Sequence, residues 1–309
     1  MTAILTVAVA SRALFDLEEE HALFEREGLG AYAALQAERE RLGAPPGPAY
    51  AFIDALSRIN ANGNPLSPDI NLVVVSRNDA VSGLRVLESI SHHGVGASRA
   101  MMTGGRDVAR LLSSIGADFF LTRSPADAEA AMRMGIGSAV MEGSSLDFPH
   151  GNEIRVAFDG DAVLFDDVAE RAFETGGYQG WIDHETTNRD AFMGHGPAAR
   201  LAKKLSDLKS VASVRGTPIR IALVTARDHG ARARAVKTLR HWGVSLDEAY
   251  FVGAMSKADV LADFKPHLFL DDRASHVMKA APFAPSGLVP RVPLPEAADE
   301  PETPSFPSP

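Results

Sequence analysis

Short apolar runs punctuate an otherwise polar chain. Ile4 to Val9, Ile154 to Phe158, Ile219 to Val224 and His267 to Leu270 are rich in Val, Ile, Leu, Ala and Phe and predict buried parallel strands. Between the first and second strand of each half lies a polar stretch of roughly 40 residues with helical character. A further helix is predicted at Arg232 to Trp242, where Ala235, Leu239 and Trp242 share one face and Gly243 ends it. Strands alternating with helices imply an α/β fold on a parallel sheet, with ligands bound beyond the carboxyl ends of the strands.

The second half echoes the first. Ser76 and Thr225 stand 149 positions apart, as do Val7 and Val156, Gly47-Pro48 and Gly196-Pro197, Leu56-Ser57 and Leu205-Ser206, Gly94-Val95 and Gly243-Val244, Gly104 and Gly253, and Phe120-Leu121 and Phe269-Leu270. About two dozen identities share this register where chance gives roughly ten, so an internal duplication is expected. It divides the chain into residues 1–150, residues 151–284, and a Pro-rich tail at 285–309 that is expected to be disordered.

Composition narrows the chemistry. The 309 residues include no cysteine, and 31 Lys plus Arg face 40 Asp plus Glu, for a net charge of −9. Disulfide scaffolds, zinc ribbons and thiol nucleophiles are excluded. The acidic balance argues against a nucleic-acid polymer as partner, while a small anionic ligand fits. The opening Met1 to Ser11 has a small-x-small pattern at Ala8 and Ala10, but no Lys or Arg precedes Arg12. It is therefore read as a strand, not an export signal. No apolar stretch is long enough to span a bilayer, and a cytoplasmic protein is expected.

Acidic residues collect at strand ends. Asp159-Gly160-Asp161 follows Arg155 to Phe158, and Asp271-Asp272 follows His267 to Leu270. Carboxylates grouped in this way suit Mg²⁺, which accepts oxygen ligands, water and phosphate. Between the pairs, Thr225 ends a strand with a hydroxyl, and Lys257 supplies a compact positive charge. Both could hold a phosphoryl group. Singly, each residue is equally well a helix cap or solvated surface; their order along one α/β unit is what points to chemistry.

That order, Asp-x-Asp, strand-Thr, Lys, strand-Asp-Asp, resembles the haloacid dehalogenase-like superfamily of phosphohydrolases. Phe158-Asp159-Gly160-Asp161-Ala162-Val163-Leu164-Phe165, Leu223-Val224-Thr225-Ala226-Arg227, Thr238 to Gly243 and Leu268 to Asp272, with Ser11 to Asp16 and Met102 to Gly105 in the first half, are similar to the cytosolic 5′-nucleotidase type I family. The resemblance runs from about Ala8 to Val292. It implies two tandem Rossmann-like units with a small cap at about 166–195, and Mg²⁺-dependent hydrolysis of nucleoside 5′-monophosphates, AMP prominently. In those terms Asp159 is the nucleophile and Asp161 the general acid/base. Mg²⁺ is held by Asp159, the Asp161 carbonyl and Asp271 or Asp272, Thr225 and Lys257 stabilise the phosphoryl oxygens, and Arg227 is a candidate for substrate contact. A phosphatase for another small phosphomonoester, such as a sugar phosphate, shares these motifs, and a nucleotide-binding regulator is a rival of another class. A homo-oligomer is left open.

The first half lacks the acids. On the repeat register Asp159 falls on Ala10, Asp161 on Arg12 and Asp271 on Thr122. It is expected to be a non-catalytic copy that scaffolds the fold or binds substrate through Arg12, Ser76, Arg77, Asn78, Thr103, Gly104 and Gly105, across a cleft shared by the halves. His184-Glu185-Thr186-Thr187-Asn188 is not a zinc-protease helix, because Asn188 stands where a second His is required. Adjacent His92 and His93 point to different faces and are read as ordinary packing residues. Gly135-Ile136-Gly137 is read as a turn.

Overall fold

The computed structural model describes residues 4–63, 68–146, 151–227, 231–253 and 255–292. The first half runs β1 (Leu5–Ala10), α1 (Ser11–Leu14), α2 (Glu18–Glu27), α3 (Leu29–Glu38), α4 (Tyr50–Ala61), β2 (Ile70–Ser76), α5 (Leu84–His92), β3 (Arg99–Met102), α6 (Ala109–Ser114), β4 (Phe119–Thr122), α7 (Pro125–Arg133) and β5 (Gly137–Glu142). The second half runs β6 (Ile154–Phe158), a π-helical turn at Gly160–Leu164, α8 (Val168–Thr187), α9 (Ala199–Val214), β7 (Ile219–Thr225), α10 (Arg232–His241), β8 (Glu248–Phe251), α11 (Lys257–Phe264), β9 (Leu268–Asp271), α12 (Ala274–Ala280) and β10 (Ser286–Leu288).

All the strands join one 10-stranded sheet in the order β3-β2-β1-β4-β5-β10-β9-β6-β7-β8. Within each half every pairing is parallel, whereas β5 and β10 meet antiparallel at the centre. The carboxyl ends of the two sets of strands therefore open on opposite edges of the sheet. Each strand start in the first half has a counterpart 149 residues later: Leu5 and Ile154, Ile70 and Ile219, Arg99 and Glu248, Phe119 and Leu268, Gly137 and Ser286.

Side-chain alternation along the strands builds three cores. Leu5, Val7, Val9, Leu72 and Val74 join Val156, Phe158, Ile221, Leu223 and Leu270 in one core that crosses both halves and takes in Phe52, Leu56, Leu201 and Leu205 of α4 and α9. The opposite face carries two separate cores, one around Ala8, Val73, Val75 and Phe120, the other around Ala157, Ala222, Val224 and Phe269. Polar ties reinforce the junction. Lys204 Nζ and Arg200 Nε of α9 reach Asp118 at 2.7 and 2.8 Å, and Arg215 donates to the Ile59 carbonyl at 3.0 Å.

The structure amends three sequence expectations. The sheet continues past residue 285, because Ser286–Leu288 forms β10 at its centre; the tail from residue 293 lies outside the described residues. Besides β10, three strands are new: β3 and β8 are four residues long and sit at the edges with exposed or half-exposed side chains, so no apolar run marks them, and the buried β5 begins at Gly137, directly after the turn read at Gly135-Ile136. The segment expected to be a cap is chiefly α8, a helix broken at Gly177, where φ is +61°.

Candidate active site

The second half gathers its acids at one edge. Asp159 follows β6 directly, and its Oδ1 accepts from the Gly160 amide at 2.7 Å. Asp271 is the last residue of β9 and Asp272 follows it. Because β6 pairs with β9, carboxylate oxygens of Asp159, Asp271 and Asp272 lie within 4.8 Å of one another. Thr225 ends β7 on the other side of β6. Lys257, buried at the start of α11, places Nζ 2.7 Å from Asp159 Oδ1 and 2.7 Å from Asp271 Oδ2.

The turn after β6 is specialised. Its first-half counterpart is the four-residue α1, whereas Gly160–Leu164 makes a five-residue π turn with Ala162 at φ +58°. The extra residue shows in the bridges that close the two turns. Pro46 and His195 keep the 149-residue offset, while their partners Phe15 and Phe165 are offset by one more. Such insertions occur frequently at functional sites, and this one contains Asp161. Gly160 is also required by its neighbour, since a Cβ there would lie 2.9 Å from Thr225 Oγ1.

Burial sets the electrostatics. It pushes the Asp159 carboxyl up, with Lys257 opposing and the charge of Asp271 adding, to about 7. Burial also raises Asp272, against the pull of Arg291, whose Nε stands 2.6 Å from its Oδ2. Asp271 goes the other way: burial is outweighed by the hydrogen bond from His276, at 3.1 Å, and by Lys257. Lys257 is raised, because its two carboxylate partners overcome the burial that would discharge it. Three buried or half-buried carboxylates thus meet at one point, with Lys257 between Asp159 and Asp271 and Arg291 at the outer side of Asp272. That set of convergent carboxylate oxygens fits a hard divalent cation such as Mg²⁺.

Asp161 is turned to a different partner. Arg227, 3% exposed, donates through Nε to Asp161 Oδ2 at 3.0 Å and through Nη2 to Oδ1, so the two planar groups meet in a bidentate pair of hydrogen bonds. Its Nη1 reaches Glu185 Oε2 of α8 at 3.0 Å, and Arg234 Nη1 takes Glu185 Oε1 at 2.8 Å. The sequence reading of Arg227 as a substrate contact missed this pairing, and it missed Glu185, Arg234, His276 and Arg291 altogether. Glu185 was weighed only as part of a failed zinc motif; the other three lie outside any motif and become visible once the helices are docked.

The first-half candidates are not brought to this site. Ser76 ends β2, and Arg12, Arg77, Asn78, Thr103, Gly104 and Gly105 follow β1, β2 and β3, whose carboxyl ends open on the opposite edge because β5 and β10 are antiparallel. Among the described residues, the strand ends of the two halves therefore do not line one cleft, so a cleft shared by the halves is not built from these residues. Many of their polar groups are spent locally: Ser76 Oγ accepts from Ser11 at 3.1 Å, Arg12 forks onto Glu18 at 3.0 Å, Arg77 pairs with Asp127, and the Gly104 amide donates to Asn78 O at 2.9 Å. A cavity of about 560 Å³ lined by Thr103, Arg106, Asp107, Arg110 and Leu111 lies at this edge, away from the acids. His93 is a packing residue, stacked on Phe15 with its Nε2 2.8 Å from the Ala44 carbonyl.

Comparison with known proteins agrees with the geometry. The family model described as 5′-nucleotidase matches residues 1–294. The human protein named cytosolic 5′-nucleotidase 1B is 33% identical over 283 residues, which is 88% of this chain and 46% of that protein. The chain thus spans about half the length of the curated relative it matches. With the match covering nearly the whole chain and the acids, Thr225 and Lys257 gathered at one sheet edge, this chain belongs to the 5′-nucleotidase family.

Proposed function

We propose that this chain hydrolyses nucleoside 5′-monophosphates, AMP among them, to nucleoside and phosphate through an aspartyl-phosphate on Asp159. The observation that carries the reading is the cluster itself: Lys257 Nζ bridges Asp159 and Asp271 at 2.7 Å each, in a chain of this family. Asp159 attacks phosphorus in line while the bond to the 5′-oxygen breaks. Asp161 gives that oxygen a proton, and the resulting carboxylate takes one from the water that cleaves the aspartyl-phosphate, which restores both residues. Thr225 and Lys257 hold the equatorial oxygens as their charge redistributes. Asp159, Asp271 and Asp272, with the Asp161 carbonyl, would hold Mg²⁺, which neutralises phosphate charge.

Arg227 meets both oxygens of Asp161 and so fixes the plane in which that carboxyl group is offered. Arg227 is accordingly assigned to Asp161 before substrate. The halves are read as tandem haloacid dehalogenase-like units, supported by the common 149-residue offset of all five strand starts. The first is a scaffold whose acids are gone, and the second is catalytic. A cytoplasmic location rests on the word cytosolic in the relative's name; no helix among the described residues is long and apolar enough to cross a membrane.

The test is phosphate release from a panel of nucleoside 5′-monophosphates and sugar phosphates, with Mg²⁺ or EDTA. Metal-dependent release from the nucleotides supports the reading. Turnover of sugar phosphates alone keeps the chemistry and discards the substrate.

A further inference from the structure

The charge chain behind Asp161 can be compared with its own counterpart in the other half. Moving back 149 residues, Arg234 becomes Arg85, Glu185 becomes Gln36, Arg227 becomes Asn78 and Asp161 becomes Arg12. The arginine at the helix start persists: Arg85, 4% exposed, pairs with Glu20 and with Gln36 Oε1 at 3.3 Å. The broken helix persists as well, with Gly28 at φ +82° where the second half has Gly177 at +61°. In the first half this helix is held without charge at the two intermediate positions, because the Tyr32 hydroxyl joins Gln36 at 2.7 Å to Asn78 at 2.9 Å.

The first half meets Arg85 with a buried carboxylate from elsewhere, Glu20 of α2, so docking the helix does not require a carboxylate at the position of Glu185 or a guanidinium at that of Arg227. Both occur in the half that carries the acids, and there they run in an unbroken line from Arg234 through Glu185 and Arg227 to Asp161. Glu185 is 5% exposed, and a buried carboxylate is costly unless each oxygen is met. Each is met here, one by Arg234 and one by Arg227. The guanidinium is a rigid fork, so fixing one of its nitrogens fixes the plane offered to Asp161. Phe165 supports that plane from below, 5.5 Å from the Arg227 Cζ.

We propose that Glu185 is a positioning residue for hydrolysis, acting through Arg227 to orient the carboxylate of Asp161. The proposal rests on the reading of Asp161 as the acid/base. It also gives α8 a task beyond covering the site, since Glu185 lies in the part of that helix beyond the Gly177 break.

The test is steady-state phosphate release from AMP with Mg²⁺ for the wild type, Glu185→Ala, Glu185→Gln, Asp161→Asn and each Glu185 variant combined with Asp161→Asn. Thermal unfolding is followed for all, and Gln36→Ala serves as the counterpart control. Glu185→Ala is expected to lower kcat at least about tenfold with KM held within about threefold, and Glu185→Gln to recover part of the loss by keeping one acceptor. On the Asp161→Asn background neither should lower kcat more than about twofold further, because both residues act at one point. Gln36→Ala should leave kcat unchanged. A full, multiplicative loss on the Asp161→Asn background overturns the role of Glu185 and leaves the acid/base reading intact. An equal fall in kcat in Gln36→Ala also overturns it, because the effect is then general to the helix. If Asp161→Asn itself retains wild-type kcat, the acid/base reading fails and the role of Glu185 with it. Should Glu185→Ala not fold, Glu185→Gln carries the same comparison.

Discussion

Lys257 Nζ stands 2.7 Å from Asp159 Oδ1, at a depth where the lysine is 6% exposed. The same ammonium serves Asp271 at 2.7 Å, so it is the counter-charge of the nucleophile and of a candidate metal ligand. Replacing it with Met leaves Asp159 without its ammonium partner and Asp271 with only His276 and the Arg273 amide. The expected cost is about 3–5 kcal/mol of stability in metal-free protein, together with a fall in kcat of roughly 10²–10³-fold. Chemical denaturation in EDTA and initial rates with Mg²⁺ measure the two effects separately.

Gly160 is held tight against Thr225. A methyl at residue 160 would sit 2.9 Å from Thr225 Oγ1 and 3.4 Å from its Cβ, so Gly160→Ala must displace the hydroxyl assigned to the phosphoryl oxygens. Activity is expected to fall about tenfold or more, while the melting temperature moves little because the three cores are untouched. A large drop in melting temperature without loss of kcat would contradict this placement.

Proton and metal binding should be linked. Burial raises Asp159 to about 7 from an ordinary value of 3.8, so the ion-free site retains a proton that a cation must expel. Apparent Mg²⁺ affinity is expected to rise with pH by up to roughly tenfold per unit below that value and to level off above it. Titration calorimetry in buffers of different ionisation enthalpy should detect proton release near neutrality that is absent in Asp159→Asn. The sign for stability is the reverse. A raised carboxyl pKa favours the fold at low pH, so in EDTA this contribution is lost as pH rises from about 3.8 through about 7. Asp159→Asn should flatten that part of the profile.

The opposite edge should be silent toward substrate. Arg77 and Asn78 follow β2, and the antiparallel β5 and β10 pairing turns that end away from Asp159. Arg77→Ala and Asn78→Ala are each expected to leave KM for nucleoside monophosphates within about twofold, since exposed or local polar contacts far from the acids are at stake. A large rise in KM would show that the first half reaches the substrate after all.

Much of the site was legible because its chemistry is local in sequence. Asp159, Thr225 and Asp271 sit at or directly after the ends of apolar runs that announce their own strands, and parallel pairing of β6 with β7 and β9 brings those ends together. The offset between Ser76 and Thr225 holds for every strand start in the structure, although the apolar runs announce only three strands in each half and Ser286–Leu288 lies among prolines. What stayed hidden depends on how one unit faces another. The antiparallel junction of β5 and β10 leaves no mark in either strand, yet it decides which edge Arg12 and Ser76 occupy. Glu185, Arg234 and His276 are single polar residues on helices, and their partners are fixed by docking angle. The pairing of Asp161 with Arg227 was equally out of reach, because it joins the turn after β6 to the segment after β7, 66 residues away.

The most direct measurement is the initial rate of phosphate release from AMP with Mg²⁺ for the wild type and Asp159→Asn, both verified as folded by their unfolding transitions. Metal-dependent hydrolysis by the wild type and a loss of at least about 10³-fold in Asp159→Asn are expected if this carboxylate is the nucleophile. Comparable rates for the two proteins would contradict the assignment of the reaction to this cluster.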